Sequence, residues 1–127
     1  MMTVTKNPSS ILAVELSNGE HRVVSDVAKA LGGEDLGLNP HELLEASLGA
    51  CTTLTLELYA KRKNWDVSEM VVEVKIVKEG KETVIERKIT FGPNQTAEAK
   101  QRLTEIANKC PIHSLLASSI KVETQSF

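Results

Sequence analysis

Two thiols are the residues of this chain best suited to chemistry, Cys51 and Cys110. A thiolate is the nucleophile in disulfide exchange and in attack on peroxides, and its supply depends on what lowers the thiol pKa. Cys110 is followed by Pro111, a residue that begins helices and rarely continues them, so Cys110 falls at or beside an N-cap, where free backbone amides favour the thiolate. Cys51 lies about three turns inside a helical run, beyond the reach of the helix dipole. Taken alone, it is either a small buried hydrophobe or the reactive atom of an active site. Two histidines accompany the pair: His113 follows Cys110 by three residues, within reach of the same pocket as a proton donor, and His41 precedes Cys51 by ten. The spacing of these four residues makes no metal motif, and no metal or cofactor is expected.

The helix that must position Cys51 is the segment from Asn39 to Asn64. Asn39 is the expected N-cap, Pro40 fits the first helical position, and Glu42 at the third can return a carboxylate to the cap amide. Leu44, Leu48, Cys51, Leu54, Thr55 and Leu58 recur at spacings of three and four and form one stripe. Gly49 in the helix interior costs about 1 kcal/mol against alanine, which predicts a close approach to the backbone there. Lys61-Arg62-Lys63 complements the C-terminal end of the dipole.

Around this helix the sequence predicts an α+β order. An N-terminal hairpin runs from Ile11 to Leu16 and from His21 to Ser25 across the Ser17-Asn18-Gly19 turn. Val27 to Leu31 is a helical turn, and Gly32 to Gly37 a connector without the phosphate-loop pattern. A second hairpin pairs Val71–Val77 with Thr83–Phe91, where Ile85, Ile89 and Phe91 share a face and Arg87 reads as an outward strand residue. Thr96–Lys109 is helical, a short helix follows Cys110 to about Ser118, and Ile120–Thr124 alternates as a last strand. No repeat or linker interrupts the chain, so residues 1–127 read as one domain.

Composition narrows the function. A net charge of −2 leaves no electrostatic footprint for nucleic acid or an anionic membrane, and no apolar run approaches the roughly 18 residues of a spanning helix. The start, MMTVTKNPSS, carries no apolar segment behind a basic flank, and a cytoplasmic location is expected. In that compartment the two cysteines stay reduced unless chemistry pairs them. Aromatic residues make up only 3% of the chain, so a pocket would be lined by aliphatic side chains.

Pro40-His41-Glu42-Leu43-Leu44, then Leu48-Gly49-Ala50-Cys51-Thr52, and later Lys109-Cys110-Pro111-Ile112-His113 resemble, in order and spacing, the two signature segments of the OsmC/Ohr family, the osmotically induced and organic hydroperoxide resistance proteins. The resemblance implies an intertwined homodimer with the two long helices back to back. It implies a thiol peroxidase that reduces organic hydroperoxides: Cys51 is oxidised to a sulfenic acid, Cys110 resolves it, and an external dithiol restores both. The substrate pocket would involve Leu44, Leu48 and Ile112, with His41 and His113 beside it. In the family a glutamate ten residues before the first cysteine pairs with an activating arginine. Here His41 holds that position, and Glu42 and Arg22 are the candidate substitutes. At about 100° per residue Glu42 points off the face of Cys51, so both His41 and Glu42 would reach a cysteine more readily from a partner's helix. Only Lys29 stands in the segment where the family arginine lies, which predicts a slow or specialised peroxidase, or else a non-catalytic redox-sensing or small-ligand-binding module of the same fold.

Overall fold

The structure is a computed structural model that describes residues 1–127, and the chain divides into two compact units, Met1–Leu44 and Glu45–Phe127. In the first, strands β1 (Thr3–Lys6), β2 (Val14–Ser17) and β3 (Arg22–Ser25) form an antiparallel sheet in sequence order. The β2–β3 pairing is the predicted hairpin, and its turn is closed by Asn18 Oδ1, which accepts from the amides of Glu20 and His21 at 3.0 and 2.7 Å. β1 is an addition to the predicted order. Its residues Thr3, Val4 and Thr5 have strand propensity, and all four of its positions are exposed on the sheet edge.

After β3 the chain wraps around one carboxylate. Asp26 is almost fully buried; its Oδ1 accepts from the Val27 amide at 2.8 Å, and its Oδ2 accepts from the amides of Glu34 and Leu36 at 3.1 and 3.3 Å. Burial alone would raise this carboxyl's pKa, but the converging amides outweigh it and hold the group below the usual carboxylate range. The loop can close this tightly because of its glycines. A Cβ on Gly33 would lie 2.1 Å from the Val27 carbonyl oxygen, and one on Gly37 would lie 2.1 Å from that of Val24. The predicted helical turn is a single 3-10 turn at Lys29–Leu31.

Helix α1 (Pro40–Lys63) has the predicted start: Glu42 N–H donates to Asn39 Oδ1 at 3.0 Å and Glu42 Oε2 accepts from the Asn39 amide at 2.8 Å. At its other end Asn64 takes a left-handed conformation (φ 54°), and the Trp65 amide closes back on the Ala60 carbonyl at 2.9 Å.

In the second unit β4 (Val71–Lys78) and β5 (Val84–Thr90) pair antiparallel, with a bulge between Ile76 and Lys78. Helices α2 (Ala97–Ala107), capped by Thr96, and α3 (Pro111–Leu116) follow. The core gathers Leu56, Ala60 and Val67 with Leu103, Ile106 and Ala107 of α2, and Tyr59, Trp65, Met70, Ile89 and Phe91 pack at its edge. The buried residues of α1 are Leu48, Thr52, Leu56 and Ala60. The helix therefore seats a stripe of spacing four that shares only Leu48 with the expected one, and Leu44, Leu54 and Leu58 of the expected stripe are exposed in this chain. Gly49 is not a point of close approach: a Cβ there would meet only Val74 Cγ2, at 3.5 Å.

The α+β class and the order of hairpins and helices agree with the sequence, but the predicted C-terminal strand does not form. Residues 119–127 have no regular structure, and Ile120 and Val122 are exposed. A strand needs an edge to pair with, and the alternation of this segment meets none within the chain. No helix is long and apolar enough to cross a membrane.

Candidate thiol site

α1 and the α2–α3 corner bring the two cysteines together. Both are free thiols, near enough for each to influence the other's ionisation. Cys110 is the N-cap of α3, with Pro111 at the first helical position as predicted. The amides of Ile112 and His113 face its sulfur without adopting a regular side-chain cap geometry. Its own N–H donates to the Ala107 carbonyl at 3.3 Å, which ties it to the end of α2.

The two sulfurs differ in environment. Burial pushes the Cys51 thiol up, and its hydrogen bond and charge interaction with Cys110 push it further; the Ile112 amide and the Thr55 hydroxyl act the other way without overcoming this. Burial also works against ionisation of Cys110. There it is outweighed by hydrogen bonds from the Cys51 thiol, the His113 and Ile112 amides and the Thr52 hydroxyl, so Cys110 lies below the usual thiol range. The two thiols titrate as a pair, and the opposite directions of their shifts make Cys110 the first to give up its proton. Cys110 is completely buried, and Cys51 is only partly so.

Of the expected pocket residues, Leu48 is buried, Ile112 and His113 are half-buried, and Leu44 and His41 are exposed. Ile112 joins the thiol pair through its amide. Glu42 is occupied in the capping box with Asn39. Arg22 pairs across the sheet with Glu15 at 3.3 Å; both are solvent-exposed, and such a pair adds little stability. No three His, Cys, Asp or Glu side chains converge as a metal site.

Arg87 corrects the sequence reading, because it points inward. Its Nη1 donates to Thr52 Oγ1 at 3.0 Å and to the Ala107 carbonyl at 3.1 Å, and its Nη2 donates to Asn108 Oδ1 at 2.9 Å. The signal was present: the alternation that puts Ile85 and Ile89 on the covered face of β5 puts Arg87 there as well. Thr52 and Asn108 also went unselected, since neither residue type announces a role without its neighbours.

The model of the family described as OsmC-like protein matches residues 32–125, a span that contains both cysteines. Among solved structures, an OsmC-like protein from Mycoplasma pneumoniae is 18% identical with a TM-score of 0.68, covering 91% of this chain and 85% of that one. An organic hydroperoxide resistance protein from Elizabethkingia anophelis is 26% identical with a TM-score of 0.65, covering 95% and 91%. The organic hydroperoxide resistance protein OhrB of Bacillus subtilis is 22% identical with a TM-score of 0.59, covering 92% and 90%. No curated protein matches the sequence.

Proposed function

The chain belongs to the OsmC-like protein family, and from that premise we propose that it is a thiol-dependent peroxidase acting on organic hydroperoxides in oxidative stress defence. The observation that carries this reading is a pair of free thiols near enough to influence each other's ionisation, one of them partly open to solvent. Cys51 Sγ attacks the terminal oxygen of the hydroperoxide, the O–O bond breaks, and the alcohol leaves behind a sulfenic acid on Cys51. Cys110 Sγ then attacks Cys51 Sγ and expels hydroxide, which leaves as water once protonated. The resulting disulfide is reduced by exchange with an external dithiol. The net reaction turns hydroperoxide and dithiol into alcohol, water and disulfide. Likeness to organic hydroperoxide resistance proteins supports this substrate class.

The working unit in this reading is a homodimer of one OsmC-like domain, residues 1–127, with the α1 helices back to back, in a reducing compartment such as the cytoplasm. The exposure of Leu54 and Leu58 on α1 supports it. In this reading Leu48 and Ile112 line the apolar pocket with His113 at its edge, and His41 reaches it from the partner's helix.

A second reading, a non-catalytic redox-sensing or small-ligand-binding module, is favoured by the upward shift at Cys51, which keeps that sulfur protonated. Turnover separates the two. The wild type is expected to consume an alkyl hydroperoxide over many cycles with a dithiol present, and Cys51→Ser to consume none. A single oxidation without cycling would establish the sensor instead.

A further inference from the structure

Arg87 leaves β5 on its covered side, between Ile85 and Ile89, and is half-buried there. An apolar side chain at this place would avoid the cost of drawing a cation half out of water. It could not bridge. Arg87 Nη1 donates to two acceptors at once, Thr52 Oγ1 at 3.0 Å and the Ala107 carbonyl at 3.1 Å, while Nη2 donates to Asn108 Oδ1 at 2.9 Å. These acceptors sit on the two segments that carry the thiols. Thr52 follows Cys51 in α1 and is completely buried; its hydroxyl proton goes to the Leu48 carbonyl at 2.8 Å, so the oxygen keeps a lone pair for the guanidinium. Ala107, also completely buried, ends α2, and its carbonyl receives the Cys110 amide at 3.3 Å as well as Arg87. One planar group of fixed shape therefore joins the residue beside Cys51 to the oxygen from which Cys110 hangs.

We propose that Arg87 is a positioning residue for a disulfide between Cys51 and Cys110: it ties the turn of α1 that bears Cys51 to the α2–α3 corner that bears Cys110, and so holds the reduced pair in the arrangement from which the bridge closes. The inference rests on the proposed function for the bridge itself, and adds what sets its ease of closing. In a glutathione buffer the closing is an exchange. One cysteine thiolate attacks glutathione disulfide and releases one glutathione; the other cysteine thiolate then attacks the protein sulfur of the mixed disulfide, forms the Cys51–Cys110 bond and releases the second. Two electrons pass from the cysteine pair to glutathione, and the protons of the two cysteine thiols end on the two glutathiones. The second attack is intramolecular, and its equilibrium depends on how much freedom the two segments lose as they close. A tie that removes this freedom beforehand favours the bridge, and the bridge in turn favours the tie. A second arginine gives the contrast. Arg102 Nε donates to Tyr59 Oη at 2.9 Å, on an exposed side of the α1–α2 contact and about two turns beyond Cys51. It braces the same two helices away from the thiols.

The test is equilibration of the full chain in glutathione buffers of graded ratio, without peroxide, for wild type, Arg87→Met, Arg87→Lys, Thr52→Val, the double variant Arg87→Met with Thr52→Val, and Arg102→Met. The bridge is measured by alkylation and peptide mass, and the melting temperature of each reduced protein is recorded alongside. Arg87→Met and Thr52→Val should each lower the equilibrium constant for closing by roughly tenfold, the scale of coupling within one hydrogen-bond network, which makes the reduction potential about 30 mV less negative. The double variant should fall little below either single one, because both cut the same tie. Arg87→Lys, which cannot fork, should recover only part, and Arg102→Met should lower the melting temperature and leave the potential in place. A potential unchanged in Arg87→Met and Thr52→Val, with only the melting temperature lowered, would reduce Arg87 to a brace and overturn the proposal. So would an equal shift in Arg102→Met, or a roughly hundredfold fall in the double variant, which would mean two separate effects. If Arg87→Met does not fold, Arg87→Lys and Thr52→Val decide. A wild type that closes the bridge but does not turn over hydroperoxide refutes the peroxidase reading and leaves this result standing; one that forms no bridge overturns both.

Discussion

Cys51 keeps part of its surface open to solvent while its neighbouring thiol, Cys110, is sealed in the interior. Exposure and ionisation are thus divided between the two sulfurs, and the order of oxidation follows from exposure. Cys110→Ser should still react once with a hydroperoxide and hold Cys51 as a sulfenic acid, detected by a dimedone adduct at Cys51 in the intact-mass spectrum. Cys51→Ser should give no adduct at either position. An adduct on Cys110 in the wild type would reverse the assigned roles.

The same division sets a pH dependence. One proton leaves the pair below the usual thiol range, because Cys110 is lowered, and the second is retained above it, because Cys51 is raised. Because Cys51 is the attacking sulfur, the rate of the first oxidation should keep climbing with pH beyond the range in which an ordinary thiol ionises. Stopped-flow measurement with an alkyl hydroperoxide reads this directly; a rate that levels off before an ordinary thiol would ionise contradicts it.

The exposed face of α1 makes a prediction about assembly. Leu54 and Leu58 are 63% and 59% exposed, in the middle of a helix whose other side is core. In the proposed dimer that face is covered. Leu54→Glu combined with Leu58→Glu should convert a dimer to a monomer in sedimentation velocity without lowering helix content, because neither side chain supports the fold of its own chain.

Asp26 should make the first unit acid-sensitive. Its folded pKa is lowered, so its stabilisation is fully present above the unfolded value of about 4 and is lost as the pH falls through the lower folded value. Asp26→Asn should lower Tm by several degrees at neutral pH, and the gap to wild type should close in strong acid. A gap independent of pH would mean that the amides bind the side chain's shape rather than its charge.

Two glycines should respond in opposite ways. Gly33→Ala drives a methyl group into the Val27 carbonyl, a backbone atom that cannot step aside, and should destabilise strongly. Gly49→Ala adds a methyl at ordinary contact distance from Val74 within a helix interior, and should stabilise by up to about 1 kcal/mol. Chemical denaturation of both variants checks the pair.

Local rules made much of this chain legible. Asn39, Pro40 and Glu42 announced the start of α1, Asn18-Gly19 the first turn, and Pro111 the capped position of Cys110, because each signal depends only on neighbours in sequence. What escaped depends on contacts between distant segments. The stripe that α1 buries is set by the shape of α2 around Leu103, which periodicity in α1 alone does not report. The C-terminal alternation looked like a strand but lacks an edge to join. Arg87 was misread by residue type although its position argued the other way. A charged residue between two covered isoleucines is better read as a buried contact than as an exception to alternation.

The threonines flanking Cys51 bear on how far its sulfur can travel. Thr52 and Thr53 both turn their hydroxyls back on carbonyls one turn earlier, to Leu48 at 2.8 Å and Gly49 at 2.9 Å. Such doubled acceptors loosen a helix and let it bend. In the proposed cycle the Cys51 sulfur passes from contact with Cys110 to a covalent bond of about 2.05 Å. The shared carbonyls beneath Thr52 and Thr53 would give α1 a place to bend, at the turn that carries Cys51, as that bridge closes and reopens.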